Sequence, residues 1–220
     1  MKKQKTLISI LIINYNNGKL LTRAINSCLN QKYRNVEILV FDDKSTDNSK
    51  IILKKFESNK KVKIFFNKRK KKGIAALDAM NGYMSLFEKS KGSIICLLDS
   101  DDYFHEDKVE KIRKFFLKRK DIDFVQNLPF IKNDFAMQKK KNKNNPISFW
   151  PYLAPESCIS FRKKFFNKFI KVNQKYTNNF DNIWLGFRIG VYAFFCLKKF
   201  NTINLNLTYY ESLGQSKKYK

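Results

Sequence analysis

Histidine is nearly absent from the 220-residue sequence, in which His105 is the single example. The four cysteines are widely spaced and form no CxxC pair, so a zinc site built from Cys and His is not expected. Cys28 and Cys96 lie in apolar stretches, where a reduced cysteine packs as a small hydrophobic side chain. We therefore expect a reducing compartment, the cytosol, and a core that forms without disulfides.

Long hydrophobic runs are also missing. No segment reaches the roughly 18–20 apolar residues that a membrane span requires, and residues 189–197 are too short before two lysines follow. The basic residues 1–5 and the apolar residues 7–13 imitate the start of a signal peptide. That run lacks a small-residue cleavage site and breaks at the polar residues 14–17, so we predict a buried first strand.

Acidic residues are scarce relative to basic ones. The sequence has 45 Lys and Arg against 19 Asp and Glu, which gives a net charge of +26. This excess indicates attraction to anionic lipid headgroups or to nucleic acid, and salt screens either attraction. A hydrophobic content of 43% and an aromatic content of 15% exclude a disordered chain.

Strand and helix patterns alternate four times in the first half. We predict strands at 7–13, 36–41, 62–66 and 93–98, and helices at 19–31, 50–56, 74–87 and 107–117. The second half is less regular, with a basic loop at 139–145, an aromatic cluster at 149–152, a strand at 157–161 and helices at 162–170 and 183–196. The alternation predicts a single α/β domain with a mostly parallel sheet and helices on both faces.

Polar clusters occupy residues 14–17, 42–45 and 99–102, each directly after a predicted strand. Ligands of such sheets bind beyond the carboxyl ends of the strands. The convergence of three clusters on one edge therefore predicts a binding site there.

Asp99, Ser100, Asp101 and Asp102 form the sharpest cluster. Three neighbouring carboxylates repel one another unless a cation neutralises them, and Mg²⁺ commonly binds one or two carboxylates together with substrate phosphates. We predict a divalent-metal site here. The alternative is an acidic helix start in which Asp102 is the cap.

The other clusters each have two interpretations. Asp42 and Asp43 offer carboxylates to a base or ribose, or form a turn with helix caps at residues 45–49. The segment 14–16 offers an aromatic face to a nucleobase, or is a polar turn. The basic run 68–72 clamps phosphate or is solvated, and His105 is more simply a solvated loop residue.

Three segments carry a family resemblance: SILIINYN at 9–16, EILVFDDKSTDNS at 37–49 and LLDSDDYF at 97–104. In residue type, order and spacing they resemble family 2 glycosyltransferases of the GT-A fold, which is Rossmann-like. The resemblance is strong over 6–120 and traceable to about residue 200. It implies one domain over 1–220, with a nucleotide-sugar donor half at 1–120 and an acceptor half at 121–220.

The resemblance also implies roles for the donor half. Ile13, Asn14 and Tyr15 would line the nucleobase pocket, and Asp42 or Asp43 would contact the base or ribose. Asp99, with Ser100, would lie near the ribose and phosphates, and Asp99 and Asp101 would hold Mg²⁺ or Mn²⁺. The metal would act as a Lewis acid that stabilises the departing nucleotide diphosphate.

In the acceptor half, Asp181 matches the position of the family's catalytic base, and its alternative role is a helix N-cap. Three positions depart from the family pattern. Phe180 stands where Glu is usual, Lys72 is the candidate replacement for an Arg expected in the stretch 70–73, and the segment 209–216 only faintly matches a late basic motif.

These observations predict an inverting transferase that moves a sugar from a nucleotide-diphospho-sugar, with UDP-sugars favoured, to a glycan or lipid-linked saccharide. We expect no specific nucleic acid. The enzyme is expected in the cytoplasm or at the inner face of an anionic membrane. The alternatives left open are a basic nucleic-acid-binding module and a nucleotidyltransferase.

Overall fold

The computed structural model describes residues 6–131, 152–173 and 180–211. Eight strands, β1 to β8, span Ile8–Asn14, Val36–Asp42, Val62–Phe66, Ile94–Asp99, Tyr103–Phe104, Phe124–Ile131, Ile159–Arg162 and Phe200–Tyr210. Within these described residues, six α-helices, α1 to α6, span Gly18–Leu29, Ser49–Lys54, Ala75–Lys89, Lys108–Lys118, Lys163–Asn173 and Leu185–Val191. A 3-10 turn at Glu156–Cys158 precedes β7, and a π-helical turn at Tyr192–Cys196 continues α6.

The strands form one sheet in the order β3-β2-β1-β4-β7-β6-β8-β5. β1 lies between β2 and β4 and is parallel to both, which explains why all seven of its residues are buried. β7 runs antiparallel to β4 and β6, whereas β6 and β8 are parallel. The prediction of an α/β domain with a mostly parallel sheet is confirmed.

Helices cover both faces of the sheet because side chains alternate along each strand. Ile10 and Ile12 of β1 face one cluster with Leu21 and Ile25 of α1. Leu11 faces the other cluster, which is rich in phenylalanine and includes residues of α3, α5 and α6. The two apolar clusters hold the strands in place, and the strand ends carry the polar groups.

The four strands and four helices predicted in the first half are confirmed, with ends that differ by at most two residues, but β5, β6 and β8 were not predicted. β8 reads FNTINLNLTYY, and polar residues interrupt its apolar pattern because parts of it are exposed. It joins the sheet by pairing with β6 over residues 124–131. The strand predicted at 157–161 begins at Ile159, since residues 156–158 form the 3-10 turn.

The helix caps expected at residues 45–49 are confirmed in part. α2 begins at Ser49, and its N-cap residue Asn48 lies in this segment but makes no side-chain capping bond. Asp47 Oδ1 accepts from the backbone N of Ser49 at 3.0 Å, and Asp47 Oδ2 accepts from Gly18 N. Ser45 Oγ accepts a hydrogen bond from the backbone N of Asn16. These polar side chains join two loops across the sheet edge, and Asp47 also binds the start of α2.

Some predicted features lie outside the described residues: the basic loop at 139–145, most of the aromatic cluster at 149–152, and residues 212–216 of the late motif. All four cysteines are described, and each is a free thiol. Across residues 6–131, 152–173 and 180–211, no helix has the length and apolar character that crossing a bilayer requires.

Candidate active site

The three polar clusters meet at one edge of the sheet, as predicted. In the strand register, Asn14 lies beside Asp42, and Ile13 lies beside Asp99. The backbone bonds continue past the strand ends, since Asp43 N donates to Asn14 O at 2.8 Å and Ser100 N donates to Ile13 O at 3.1 Å. The loops after β1, β2 and β4 are therefore fixed relative to one another.

Asn14, Asp42 and Ser45 form a buried group that we call the loop network. Asn14 Nδ2 donates to Asp42 Oδ2 at 2.8 Å and to Ser45 Oγ at 3.2 Å. The second oxygen of Asp42 accepts from Ser45 N at 3.0 Å. Both carboxylate oxygens of Asp42 thus have protein partners, and Asn14 and Asp42 are fully buried. The network holds the loops in place from beneath.

Tyr15 and Asp43 lie above this network and share a cation that the sequence did not single out. Lys71 Nζ is 3.2 Å from the centroid of the Tyr15 ring and 3.0 Å from Asp43 Oδ2. Asp43 Oδ1 accepts from Asn67 Nδ2 at 2.6 Å. The structure therefore places Lys71 against Tyr15 and Asp43, and the role expected for Lys72 stays a prediction. Lys72 is exposed and donates its backbone N–H to Asp78.

The acid loop, residues 99–102, follows β4 directly. Asp99 Oδ1 accepts from Tyr83 OH at 2.8 Å, and burial together with the carboxylates of Glu156, Asp102 and Asp101 raises the pKa of Asp99 well above its usual range. Ser100 Oγ accepts from Asn17 Nδ2 at 3.1 Å. A carboxyl group so crowded by negative charge favours a neighbouring cation.

Arg23 of α1 fixes the far side of the acid loop. Its Nη2 donates to the backbone O of Asp101 at 2.9 Å, and its Nη1 donates to Glu211 Oε1 at 2.8 Å. Its guanidinium also lies 4.2 Å from the centroid of the Tyr103 ring. The acid loop is consequently attached to both α1 and the end of β8.

Asp102 does not cap a helix. α4 begins at Lys108, and Asp102 Oδ1 instead accepts from the backbone N of Glu211 at 3.0 Å. Burial, followed by the charge of Asp101, raises the pKa of Asp102 to about 7. The interpretation of this cluster as an acidic helix start is therefore wrong. His105 is half-exposed, accepts the backbone N–H of Asp107 at 3.2 Å, and does not line the cavity described next.

A cavity of about 430 Å³ opens beside the acid loop. One side carries Asp99, Ser100 and Asp101, and Ile13 and Asn17 also line it. Four aromatic side chains, which we call the aromatic wall, also line the cavity: Tyr152, Trp184, Phe187 and Tyr210. The cavity thus joins a polar site at the ends of the parallel strands to an apolar surface made by the second half.

Glu156 also lines this cavity, and the sequence analysis missed it. Its side chain is 8% exposed, and its Oε1 accepts from Gly186 N at 2.7 Å. Burial raises the pKa of Glu156 to about 7. The sequence offered one indication of this residue, a single carboxylate next to Pro155 in an otherwise uncharged segment. A single Glu matches no known motif, so the sequence did not predict its role.

Lys108 is a second buried charge that the sequence did not reveal. Its Nζ donates to Thr208 Oγ1 at 2.9 Å and to the backbone O of Ser157, and it lies 3.8 Å from the Phe104 ring centroid. Burial lowers the pKa of Lys108 to about 8. It joins α4 to β8 and to the 3-10 turn, beneath the acid loop.

Asp181 lies in the turn that precedes α6. The helix begins at Leu185 with Trp184 as its N-cap residue, so Asp181 is not the helix cap. Its charge acts on Arg188. Burial lowers the pKa of Arg188, and the negative charge of Asp181 raises it in part. Asp181 is not among the described residues that line the cavity, although Trp184 and Gly186 are.

The acid loop fits a hard divalent cation in part. Asp99 and Asp101 offer carboxylate oxygens on one side of the cavity, which is the donor type that Mg²⁺ and Mn²⁺ prefer. Within the described residues no group of three or more His, Cys, Asp or Glu side chains is arranged to hold a metal ion. Ligand oxygens from a bound diphosphate would complete such a site.

Comparisons with known proteins agree with this arrangement. The family model described as "Glycosyl transferase family 2" matches residues 9–203. An uncharacterized glycosyltransferase of Haemophilus influenzae is 41% identical over 113 residues, which is 51% of this chain and 43% of that protein. The Escherichia coli enzyme UDP-Glc:alpha-D-GlcNAc-diphosphoundecaprenol beta-1,3-glucosyltransferase WfaP is 31% identical over 131 residues, which is 60% of this chain and 49% of that enzyme. The chain thus covers about half the length of these relatives.

Solved structures share the fold. The crystal structure of Staphylococcus aureus TarS with UDP-GlcNAc has a TM-score of 0.67 and 17% identity over 94% of this chain and 59% of that one. The mannosyltransferase PcManGT of Pyrobaculum calidifontis, solved with GDP-Man and Mn²⁺, has a TM-score of 0.64 and 13% identity over 90% of this chain and 54% of that one. The expectation of a GT-A fold is confirmed. The chain therefore belongs to glycosyl transferase family 2.

Proposed function

We propose that this enzyme transfers a sugar, with inversion at the anomeric carbon, from a UDP-sugar to a hydroxyl group of a glycan or lipid-linked saccharide. The observation that carries the proposal is that Asp99, Asp101 and the aromatic wall line one cavity. The carboxylates lie at the ends of parallel strands, where such sheets bind ligands. The aromatic wall offers apolar faces to a sugar acceptor.

The nucleobase binds beside Tyr15. Its ring provides a stacking surface, and Asp43 offers carboxylate oxygens to a base N–H or to ribose hydroxyls. Asp42 is the weaker candidate because both of its oxygens already accept bonds within the loop network. Lys71 lies over the Tyr15 ring and would move aside or cover the base when the donor binds. The TarS structure with UDP-GlcNAc supports uridine as the nucleoside.

Asp101 and Asp99 would hold Mg²⁺ or Mn²⁺ together with the donor diphosphate. When bound, the metal supplies Lewis-acid stabilisation of the charge that develops on the departing nucleotide diphosphate. The chain's own contribution is to fix the acid loop, which Arg23 and Asn17 hold from two sides. The Mn²⁺ in PcManGT supports this assignment.

Asp181 is the proposed base. It takes the proton from the acceptor hydroxyl while that oxygen attacks the anomeric carbon from the face opposite the nucleotide. The turn that contains Asp181 leads directly into Trp184 and Gly186, which line the cavity. Residues 1–120 therefore act as the donor half and residues 121–220 as the acceptor half.

The acceptor is proposed to lie at an anionic membrane surface on the cytoplasmic side. A basic groove of about 760 Å³ between α3 and β3 is lined by Lys68, Arg69, Lys70, Lys72 and Lys89. Phe66 beside it is 44% exposed. Clustered cations with an exposed aromatic side chain suit anionic lipid headgroups. The lipid-linked acceptor named for WfaP is consistent with this location.

The donor proposal is tested by titrating UDP, GDP and CDP calorimetrically with and without Mn²⁺. We expect UDP to bind tightly only with Mn²⁺ and the binding to be lost in Asp101→Ala. The matched control is Asp121→Ala, which removes an exposed carboxylate that is paired with Arg119. Metal-independent binding of UDP by Asp101→Ala would contradict the metal assignment. Release of pyrophosphate instead of UDP during turnover would indicate a nucleotidyltransferase.

The membrane proposal is tested by sedimentation with vesicles. We expect binding to vesicles that contain phosphatidylglycerol at low salt, weaker binding for Lys68→Glu/Arg69→Glu, and unchanged binding for the control Lys54→Glu/Lys55→Glu. Equal partitioning onto neutral and anionic vesicles would contradict it. Tighter, salt-sensitive binding to duplex DNA than to vesicles would favour a nucleic-acid partner.

A further inference from the structure

Glu156 caps a helix to which it is not joined in sequence. Its Oε1 accepts the backbone N–H of Gly186 at 2.7 Å, and the backbone N–H of Leu185 also donates to this carboxylate. Both groups belong to the first turn of α6, whose own N-cap residue Trp184 makes no side-chain capping bond. Unpaired N–H groups at a buried helix start are costly, so Glu156 satisfies an otherwise unmet requirement.

The contact between the 3-10 turn and α6 is close. A Cβ atom built on Gly186 would lie 2.7 Å from Glu156 Cγ and 2.8 Å from Ile159 Cδ1. Leu185 and Ile189, on the same helix, are buried in the phenylalanine-rich cluster. Close packing therefore fixes the start of α6 against Glu156. A larger residue at position 186 would push the start of α6 away from Glu156.

This contact lies between the two sides of the cavity. Glu156 lines the cavity together with Asp99 on the donor side, and Trp184 lies immediately before the capped turn. Asp181 is three residues before Trp184, in the same short turn. A shift of the α6 start would consequently move Trp184 and Asp181 relative to the acid loop.

We infer that Glu156 is a positioning residue that sets the distance between the acid loop and the turn at 180–184. It acts through the backbone of α6 and needs no contact with substrate. The inference rests on the proposed function only in assigning Asp181 and Trp184 to the acceptor. Misplacement of reacting groups by about 1 Å can reduce a rate about 10²-fold, so such a residue affects turnover more than donor affinity.

The first test uses a signal that does not depend on substrate. The sequence has two tryptophans, so Trp150→Phe leaves Trp184 as the single tryptophan, which can be excited selectively over tyrosine. In that background we expect Glu156→Ala to increase acrylamide quenching of Trp184 at least about twofold and to speed amide exchange at Leu185 and Gly186. Glu156→Gln keeps an acceptor oxygen and should preserve both signals. Glu110→Ala, which removes an exposed carboxylate paired with Lys114, is the matched control.

The second test separates positioning from donor binding. With UDP-glucose as the donor and water as the acceptor, we expect Glu156→Ala to slow the hydrolysis that liberates UDP at least about tenfold while the affinity for UDP stays within about twofold. Glu156→Gln should retain most of the release rate. If Glu156→Ala does not fold, Gly186→Ala provides the same displacement from the opposite side of the contact and should show the same pattern.

Three results would overturn the inference. The first is that acrylamide quenching and amide exchange in Glu156→Ala equal those of the parent. The second is that Glu156→Ala loses UDP affinity by the same factor as the rate of UDP release. The third is that Glu156→Gln is as impaired as Glu156→Ala. If the parent enzyme releases no UDP from UDP-glucose or from any other UDP-sugar in a panel, the proposed donor is wrong. The fluorescence and exchange measurements still decide the role of Glu156 in that case.

Discussion

The donor side and the aromatic wall of the cavity are held in place by different forces. On the donor side, short polar side chains bond to one another in the loop network and around Asp43. The aromatic wall consists of large side chains, and three of its four members are at least 38% exposed: Tyr152, Trp184 and Phe187. Directional bonds fix the first side, whereas packing beneath α5 and α6 supports the second.

This difference indicates where the enzyme tolerates change. A polar network loses most of its geometry when one partner is removed, because buried groups are left unpaired. An exposed aromatic side chain can be exchanged for another with little effect on the fold. We therefore expect donor recognition to be sensitive to single substitutions and acceptor recognition to vary with the side chains of the wall.

The largest expected effect is on the acid loop. Asp101→Asn removes the charge that would hold the metal, while keeping the shape of the side chain. Because Lewis-acid stabilisation contributes several kcal/mol, we expect sugar transfer to fall on the order of 10³-fold. The rate of sugar transfer is measured as the release of nucleoside diphosphate from a panel of nucleotide-sugars. A fall of less than about tenfold would show that Asp101 does not serve the metal.

The packing beneath the aromatic wall provides the next test. Phe166 of α5 is 1% exposed, and its ring centroid lies 4.4 Å from that of Phe87 and 4.9 Å from that of Phe161. Phe166→Ala should lower the free energy of unfolding by about 3–5 kcal/mol, as measured by urea denaturation. We expect UDP affinity of the folded protein to be unchanged. A parallel loss of affinity would show that the two sides are not independent.

Removing a member of the loop network should cost less. Asp42→Ala leaves Asn14 Nδ2 and Ser45 N without this acceptor in a buried place. We expect the free energy of unfolding to fall by about 2 kcal/mol. Asp43→Ala should instead reduce UDP affinity and have a smaller effect on stability. The reverse pattern would assign donor binding to Asp42.

Tyr15 tests the stacking surface for the nucleobase. Tyr15→Ala removes the ring, and we expect UDP affinity to weaken about fivefold to tenfold, because an aromatic pair contributes about 1 kcal/mol. Tyr15→Phe should retain the affinity. Calorimetry measures both variants, and equal affinities for Ala and Phe would place the base elsewhere.

The last expected effect is a change in the pH dependence of stability. The pKa of Lys108 is about 8 in the folded protein against 10.5 as its ordinary value. Between these values the unfolded chain binds more protons than the folded one, so this residue makes stability rise as pH increases from 8 to 10.5. Lys108→Met should lack that contribution. Urea denaturation at several pH values compares the slopes, and equal slopes in the two proteins would contradict the assignment.

Much of the donor side could be predicted from the sequence. The buried strands β1, β2 and β4 have continuous apolar runs, and each is followed directly by polar residues. Since parallel strands end at one edge, the meeting of Asn14, Asp42 and Asp99 followed from local pattern alone. Lys71 was missed because five consecutive cations look alike in sequence, and only the path of the loop selects the one that reaches Asp43.

The second half was less predictable for a physical reason. β6 and β8 pair with each other although they are distant in the chain. β6 also pairs with β7, and β8 also pairs with β5, in both cases antiparallel. Their own residues carry a weak pattern because one face of β8 is partly exposed. Strand propensity of this kind depends on the neighbours, and the sequence does not reveal them.

The amino-acid sequence by itself determined the parallel α/β architecture, the edge at which the polar clusters meet and the acid loop, because these depend on contiguous apolar runs and the residues that follow them. The tertiary structure alone decided which lysine reaches Asp43, that Asp42 supports a loop, and that Glu156 meets the start of α6. Each of these is a contact between segments far apart in the chain. Only the packing of the sheet and helices brings such segments within hydrogen-bonding distance.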